Sequence, residues 1–164
     1  MVHLLAMVRP VKSPEALSNL FRARGLKVTP QRQLIFRILD GLEHPTADVV
    51  HALACAEMPT VSLRTVYQTL NDLAAMGEVV QIDLGTGSAR FDTNLEPHQH
   101  LMCERCGAVR DVVVSFTTDL DEEHLAGFAV SSTDIVFRGR CSACADPGRH
   151  QPSTSPSRST PTHA

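Results

Sequence analysis

The stretch Ser62-Leu63-Arg64-Thr65-Val66-Tyr67-Gln68-Thr69-Leu70-Asn71-Asp72-Leu73-Ala74-Ala75-Met76-Gly77 reads as one capped amphipathic helix. Ser62 is a good N-cap and Gly77 a good stop, and Val66, Leu70 and Leu73 fall on one stripe. The opposite side offers Arg64, Thr65, Tyr67, Gln68 and Asn71 to solvent. Beyond Gly77 the pattern changes. Residues 79–84, a Gly85-Thr86-Gly87-Ser88 turn and residues 89–92 read as a β-hairpin. A helix with a polar, hydrogen-bonding face followed by a two-stranded ribbon predicts a winged helix-turn-helix, whose exposed face suits a DNA major groove.

Working back toward the start, three more helices are legible. Ser13-Pro14 and Thr29-Pro30 each pair an N-cap with proline at the first helical position. Leu17, Leu20 and Phe21 form the apolar face of the first helix, which Gly25 ends. Leu34, Ile35, Ile38, Leu39 and Leu42 form that of the second, and Thr46 caps a third carrying Val49, Val50, Leu53 and Ala54. Lone Cys55, in the same apolar run, is expected to be a small core residue, and His51, His3, His150 and His163 to be incidental. Residues 1–39 hold seven Lys/Arg against one acid, Glu15, although the 164-residue chain carries a net charge of −3. That asymmetry fits an anion-facing first half or an ordinary solvated basic face. Arg22, Lys27 and Arg32 are the candidates for phosphate contact.

Working forward, four of the five cysteines form Cys103-x-x-Cys106 and Cys141-x-x-Cys144, the spacing at which two thiolates hold one face of a tetrahedral zinc. The 34 residues between Cys106 and Cys141 exceed ordinary zinc-ribbon spacing, and a strand-helix-strand unit would fill the gap. His98 and His100 precede the first pair. If that stretch is extended, they share one face and Cys103 takes the other. Residues 108–114 read as the returning strand, and a turn near Arg105 brings Asp111 opposite His100. Two sites are therefore expected, a closed sulfur site and a harder nitrogen/oxygen site. A helix near residues 118–126 and a last strand through Ile135-Val136-Phe137 complete the unit, while Glu122, Glu123 and His124 read as a solvated helix face.

The fold class expected is α+β. Residues 1–92 form a winged-helix DNA-binding domain, with 1–12 flexible. Residues 93–144 form a small α/β dimerisation and metal-binding domain, and the Pro/Ser/Thr-rich residues 145–164 a disordered tail. The second unit is too small to bury much core alone, which argues for dimerisation and a zinc staple. Residues 1–8 are too short for a membrane span and are followed by Arg9 and Lys12, so no signal peptide is read and a cytoplasmic location is expected. Reduced thiols in that compartment favour metal over disulfides. A zinc hydrolase or deaminase is disfavoured: an all-cysteine site leaves no position for water, and no His-x-Glu stands with a Pro-Cys-x-x-Cys.

The chain resembles the ferric uptake regulator family of bacterial metal-dependent repressors over roughly residues 17–144. The likeness rests on residues 25–32 (GLKVTPQR), residues 62–67 (SLRTVY), His98-x-His100-x-x-Cys103-x-x-Cys106-Gly107 and Cys141-x-x-Cys144. It implies a homodimer on a palindromic operator, with a structural zinc on the cysteines and a regulatory metal setting the angle between two DNA-reading heads. The sequence is most similar to the peroxide-sensing subgroup, whose regulatory ligands carry over to His44, Asp92, His98, His100 and Asp111. Iron-sensing members tend to have Glu at the positions of Asp92 and Asp111. Three imidazoles and two carboxylates suit Fe(II) or Mn(II). Peroxide reacting there would modify His44 or His98 and release the operator. An iron-, zinc- or nickel-responsive regulator is the sibling alternative. A secondary metal site known in some iron sensors would fall on Pro97, Gln99 and Thr133, none a good ligand, and is expected to be absent or weakened. Gln68 stands where many iron sensors have Arg, so the operator is left open.

Overall fold

The computed structural model describes residues 12–85, 87–115, 120–131 and 133–145. Four helices lead: α1 (Pro14–Ala23), α2 (Pro30–Leu39), α3 (Ala47–Glu57) and α4 (Leu63–Ala75). Ser13, Thr29, Thr46 and Ser62 each accept the backbone N–H three residues on, so all four are capped as their sequences require. Gly77, at φ +71°, ends α4: its own N–H reaches Ala74 O and that of Glu78 reaches Leu73 O, a reversal that favours glycine. The helices enclose one core of Leu17, Phe21, Leu34, Ile35, Phe36, Leu39, Val50, Val66, Leu70 and Leu73, closed by Val79 and Phe91 from the ribbon. Phe21 and Phe36 meet edge-on at 4.8 Å.

The ribbon is β1 (Val80–Ile82) antiparallel to β2 (Arg90–Asp92), with Val80 opposite Asp92. Helices followed by this pair make the winged helix-turn-helix. A second sheet has the order β4-β3-β5, from β3 (Gln99–Cys103), β4 (Val109–Val112) and β5 (Val136–Gly139). β3 runs antiparallel to β4, with His100 opposite Asp111, and parallel to β5, with Cys103 opposite Gly139. The crossover between β4 and β5 contains α5 (Glu122–Leu125), and one helical turn, α6 (Ser142–Ala145), follows β5. The architecture is α+β.

Several expectations shift. In α3 the buried stripe is Ala47, Val50 and Ala54, while Val49 and Leu53 stay 45% and 44% exposed. Val49 and Leu53 are four apart and so share a neighbouring stripe that the core does not reach. Cys55 is half-buried on the flank of α3, not in the core, and faces Val61 O and His51 Nε2. The last strand begins at Val136 and runs to Gly139, because its pairing with β3 continues to Cys103. Lys12 pairs with Glu78. Residues 1–11 of the segment expected to be flexible, 146–164 of the expected tail, Thr86 of the expected hairpin turn, Ser132, and residues 116–119, of which 118 and 119 belong to the expected fifth helix, lie outside the described residues. Among the described residues no helix is long and apolar enough to cross a membrane.

Candidate metal centres and nucleic-acid interface

The sulfur cluster is made by two knuckles. After β3 the chain reverses, with Gly107 N–H bonded to Cys103 O and Cys103 N–H to Ala108 O. After β5, Cys144 and Ala145 N–H both return to Cys141 O. The parallel β3–β5 pairing sets the two knuckles side by side. Cys106 Sγ lies 3.7 Å from Cys141 Sγ, and Cys141 N–H donates to Cys103 Sγ at 3.3 Å. Donor atoms of Cys103, Cys106, Cys141 and Cys144 all fall within 4.8 Å of one another. The backbone N–H groups of Cys141 and Cys106 bring the Cys103 thiol down to about 6, which favours its thiolate. Burial, then the neighbouring sulfurs, push Cys144 up to about 12. The thiolate is the form that ligates a metal, so a cation bound among these four sulfurs would be taken up with release of protons.

The second cluster joins the helical head to the three-stranded sheet. His44 sits just before α3 in a loop tied to the ribbon: Phe91 N–H donates to Pro45 O, Thr46 bridges Arg90, and Arg90 Nη1 donates to His44 O at 3.0 Å. These bonds carry His44 to Asp92. β3 then presents His98 from its leading edge and His100 from within it, and the antiparallel register brings Asp111 across from β4. His44 Nε2 is 2.7 Å from Asp111 Oδ1, and His98 Nε2 is 2.9 Å from Asp92 Oδ2. His100 Nε2 is 3.2 Å from that same oxygen, and 2.9 Å from His98 Nε2. One donor atom from each of the five lies within 4.8 Å of every other.

The electrostatics fit a divalent cation. His44 is 2% and Asp92 3% exposed, and burying such groups is costly unless charge is matched. Burial opposes the charged form of His44, but its pairing with Asp92 and the charge of Asp111 outweigh it and raise its pKa. Burial likewise opposes ionisation of Asp92, yet His44 and the Asn94 N–H lower it below the usual carboxylate value. His100 is lowered, by burial first and then by the other two imidazoles. Neither ring nitrogen of His44 makes a hydrogen bond, despite the closeness of Asp111 Oδ1; the angle is wrong for one. His98 differs: Nδ1 is 2.7 Å from Glu96 O, so a proton there leaves the lone pair of Nε2 facing the cluster, available to a metal. His44 also has φ +48°, an unusual conformation for a non-glycine residue. A strained, buried imidazole with unbonded nitrogens, aimed at two carboxylates, suits a ligand. Gln99, by contrast, accepts the Val114 N–H on its amide oxygen.

Of the residues singled out for nucleic acid, Lys27, Arg32, Arg64, Thr65 and Gln68 line one cleft between the α1–α2 connection and α4. Tyr67, 41% exposed, and Asn71 lie on the outer face of α4. Arg22 bonds Asn19 and borders a different surface, with Arg37. Arg32 is engaged inside the head: it pairs with Asp72 at 2.6 Å, lies over the Phe21 ring and donates to Lys27 O. Gln68 Nε2 donates to the other oxygen of Asp72 at 2.9 Å. Asp72, Arg90 and Asn94 are absent from the sequence-based set; a lone polar residue in a helix or connection carries no periodic signal.

A winged helix joined to a sheet, with four sulfurs gathered at the knuckles after β3 and β5 and three imidazoles with two carboxylates gathered where head and sheet meet, defines a metal-binding DNA reader. The chain belongs to the ferric uptake regulator family, which it matches over residues 23–138. It is 32% identical over 135 residues to the peroxide-responsive repressor PerR of Staphylococcus aureus, a match spanning 80% of this chain and 90% of that protein. The Campylobacter jejuni peroxide stress regulator superposes with TM-score 0.54 at 30% identity, covering 78% of this chain and 98% of that one. The ferric uptake regulator from Pseudomonas aeruginosa with manganese superposes with TM-score 0.54 at 27% identity, covering 76% and 97%.

Proposed function

We propose that this protein is a metal-dependent transcriptional repressor that binds palindromic operator DNA as a homodimer and releases it on reaction with peroxide. Cys103, Cys106, Cys141 and Cys144 would hold a structural zinc, closed to substrate because every ligand position is filled. His44, Asp92, His98, His100 and Asp111 would hold Fe(II) or Mn(II), a nitrogen/oxygen set suited to either. Membership of a family of transcription regulators, not enzymes, supports the class. The similarity to peroxide-responsive relatives, together with aspartate at both carboxylate positions, supports peroxide as the signal.

One observation carries the reading. His44 comes from the helical head, whereas His98, His100 and Asp111 come from the sheet that follows residue 93, and their donor atoms converge on one point. A cation there would lock the head, and with it α4, against the rest. Leu101, Val113, Leu120, Phe128 and Phe137 are exposed on the sheet and its crossover, an apolar surface suited to a second copy. In such a dimer two α4 helices would enter successive major grooves. Tyr67, Gln68 and Asn71 would face base edges, with Arg22, Lys27, Arg64 and Thr65 toward phosphates and Arg32 acting through Asp72.

When bound, Fe(II) would let peroxide oxidise a neighbouring ring: one oxygen atom enters a C–H bond of His44 or His98, and the other leaves as water. The chain's residues supply the rest. His44, strained and buried, is tied to the ribbon of the head by the Arg90–carbonyl bond, the Pro45–Phe91 bond and the Thr46–Arg90 bridge, so loss of its donor nitrogen would remove the head's imidazole ligand to the metal. The test is fluorescence anisotropy on a duplex selected from a random pool with zinc-replete protein. Mn(II) should tighten binding about 10-fold or more, and His44→Ala should remove that dependence while zinc stays bound. Equal binding with and without Mn(II) would contradict the reading.

A further inference from the structure

One residue outside the five donors touches both carboxylates. Asn94 lies between β2 and β3. Its backbone N–H donates to Asp92 Oδ1 at 2.8 Å, and its side-chain Nδ2 donates to Asp111 Oδ2 at 2.7 Å. The Asn94 Oδ1 accepts Glu96 N–H at 3.2 Å, which fixes the amide with its nitrogen toward Asp111. The other oxygens face imidazoles: Asp92 Oδ2 toward His98 and His100, and Asp111 Oδ1 toward His44, His98 and His100 at 2.7, 3.4 and 3.9 Å. Asp111 is the loosest member, its side chain 33% exposed where that of Asp92 is 4%. With less packing around it than Asp92 has, this carboxylate is oriented by the Asn94 amide on Oδ2 and by the His44 imidazole beside Oδ1.

We propose that Asn94 is a positioning residue that restricts Asp111 to a single donor oxygen, so that the cluster gives a divalent cation five donor atoms and keeps a sixth position open to a small outside ligand. The inference rests on the regulatory-metal reading above and adds what decides access to that metal. A carboxylate can ligate through one oxygen or both. An amide donor fixed against Oδ2 engages that oxygen and sets the plane of the group, the role that partners behind a metal ligand commonly play. Only a side chain that donates at one end and is fixed at the other can do this: alanine has no donor, and aspartate would repel Asp111.

Asn94→Ala isolates the effect, because the backbone N–H to Asp92 remains. Full-length, zinc-replete wild type and variant would be loaded anaerobically with Fe(II) and compared by iron K-edge absorption. The pre-edge intensity of the wild type should mark a five-coordinate site, and the variant should lose intensity toward six-coordinate as Asp111 turns to ligate through both oxygens. Oxygen gain on the His44 peptide after dilute peroxide should slow about 10-fold. Asn94→Ser, whose hydroxyl can still accept from Glu96 but cannot reach Asp111, should behave alike and guards against a folding defect in the alanine variant. Iron uptake with the same pre-edge in wild type and both variants overturns this proposal alone. Wild type that takes up no Fe(II) overturns it together with the metal reading beneath it.

Discussion

At His44 the backbone sits at φ +48°, a conformation that costs a residue bearing a Cβ about 1–2 kcal/mol and glycine very little. In zinc-replete protein without the regulatory metal, His44→Gly should therefore be about 1 kcal/mol more stable to urea than His44→Ala, though both lose the imidazole. Equal midpoints would show that no strain is held there. The same residue marks where sequence reading thins out. His98, His100 and Asp111 follow from the two-residue period of a strand and one turn, and β3–β4 register sets His100 against Asp111. Nothing local joins His44 to Asp92. Their meeting depends on the Thr46–Arg90 bridge and the Phe91–Pro45 bond, contacts between segments far apart in sequence, so only the family resemblance could suggest it. Asn94 and Arg90 were not legible at all, since single hydrogen bonds leave no pattern.

Among the elements, α4 shows how a helix can be fully legible in outline and not in its wiring. Its cap, stop and buried stripe of Val66, Leu70 and Leu73 follow from residue type and spacing. That Asp72 clasps both Gln68 and Arg32 does not, because Arg32 arrives from α2. With its Nε2 donated to Asp72, Gln68 would meet a base edge in the proposed complex through its oxygen, the amide's acceptor. Asp72→Ala should do two things. It strands Arg32, whose side chain is only 14% exposed, at a cost of about 1–3 kcal/mol between the surface and buried limits. It should also alter preference at one base position, as Gln68→Ala should, within the roughly 1–3 kcal/mol that such a contact discriminates. Selection from a random duplex pool reads the second effect. An unchanged preference in both variants would remove Gln68 from base readout. α3 carries the opposite lesson: four apolar positions at helical spacing predict one face, yet the core reaches only the stripe through Val50 and Ala54.

Across the whole molecule, among the described residues, the apolar core cluster lies in the helices, the ribbon and their connections; the unit after residue 93 adds Met102 and Cys103 from β3 and Cys144 from α6 to the buried set but leaves Phe128 of the crossover 77% exposed. On the proposed reading, the sheet would depend on its zinc and on a partner surface for the burial that its own residues do not supply. Cys103→Ser or Cys141→Ser should remove a zinc worth on the order of 10 kcal/mol in such small sites. Sedimentation should then report monomer or unfolded chain, and a stable zinc-free dimer would contradict that dependence. The most direct measurement of the central claim loads zinc-replete protein separately with Fe(II) and with Mn(II), adds dilute peroxide to the operator complex, and follows both anisotropy and peptide mass. With Fe(II), the complex should dissociate as one oxygen appears on the peptide bearing His44 or His98; with Mn(II), it should persist unmodified. An Fe(II) complex that stays bound and unmodified would contradict peroxide sensing and leave an iron-responsive repressor in its place.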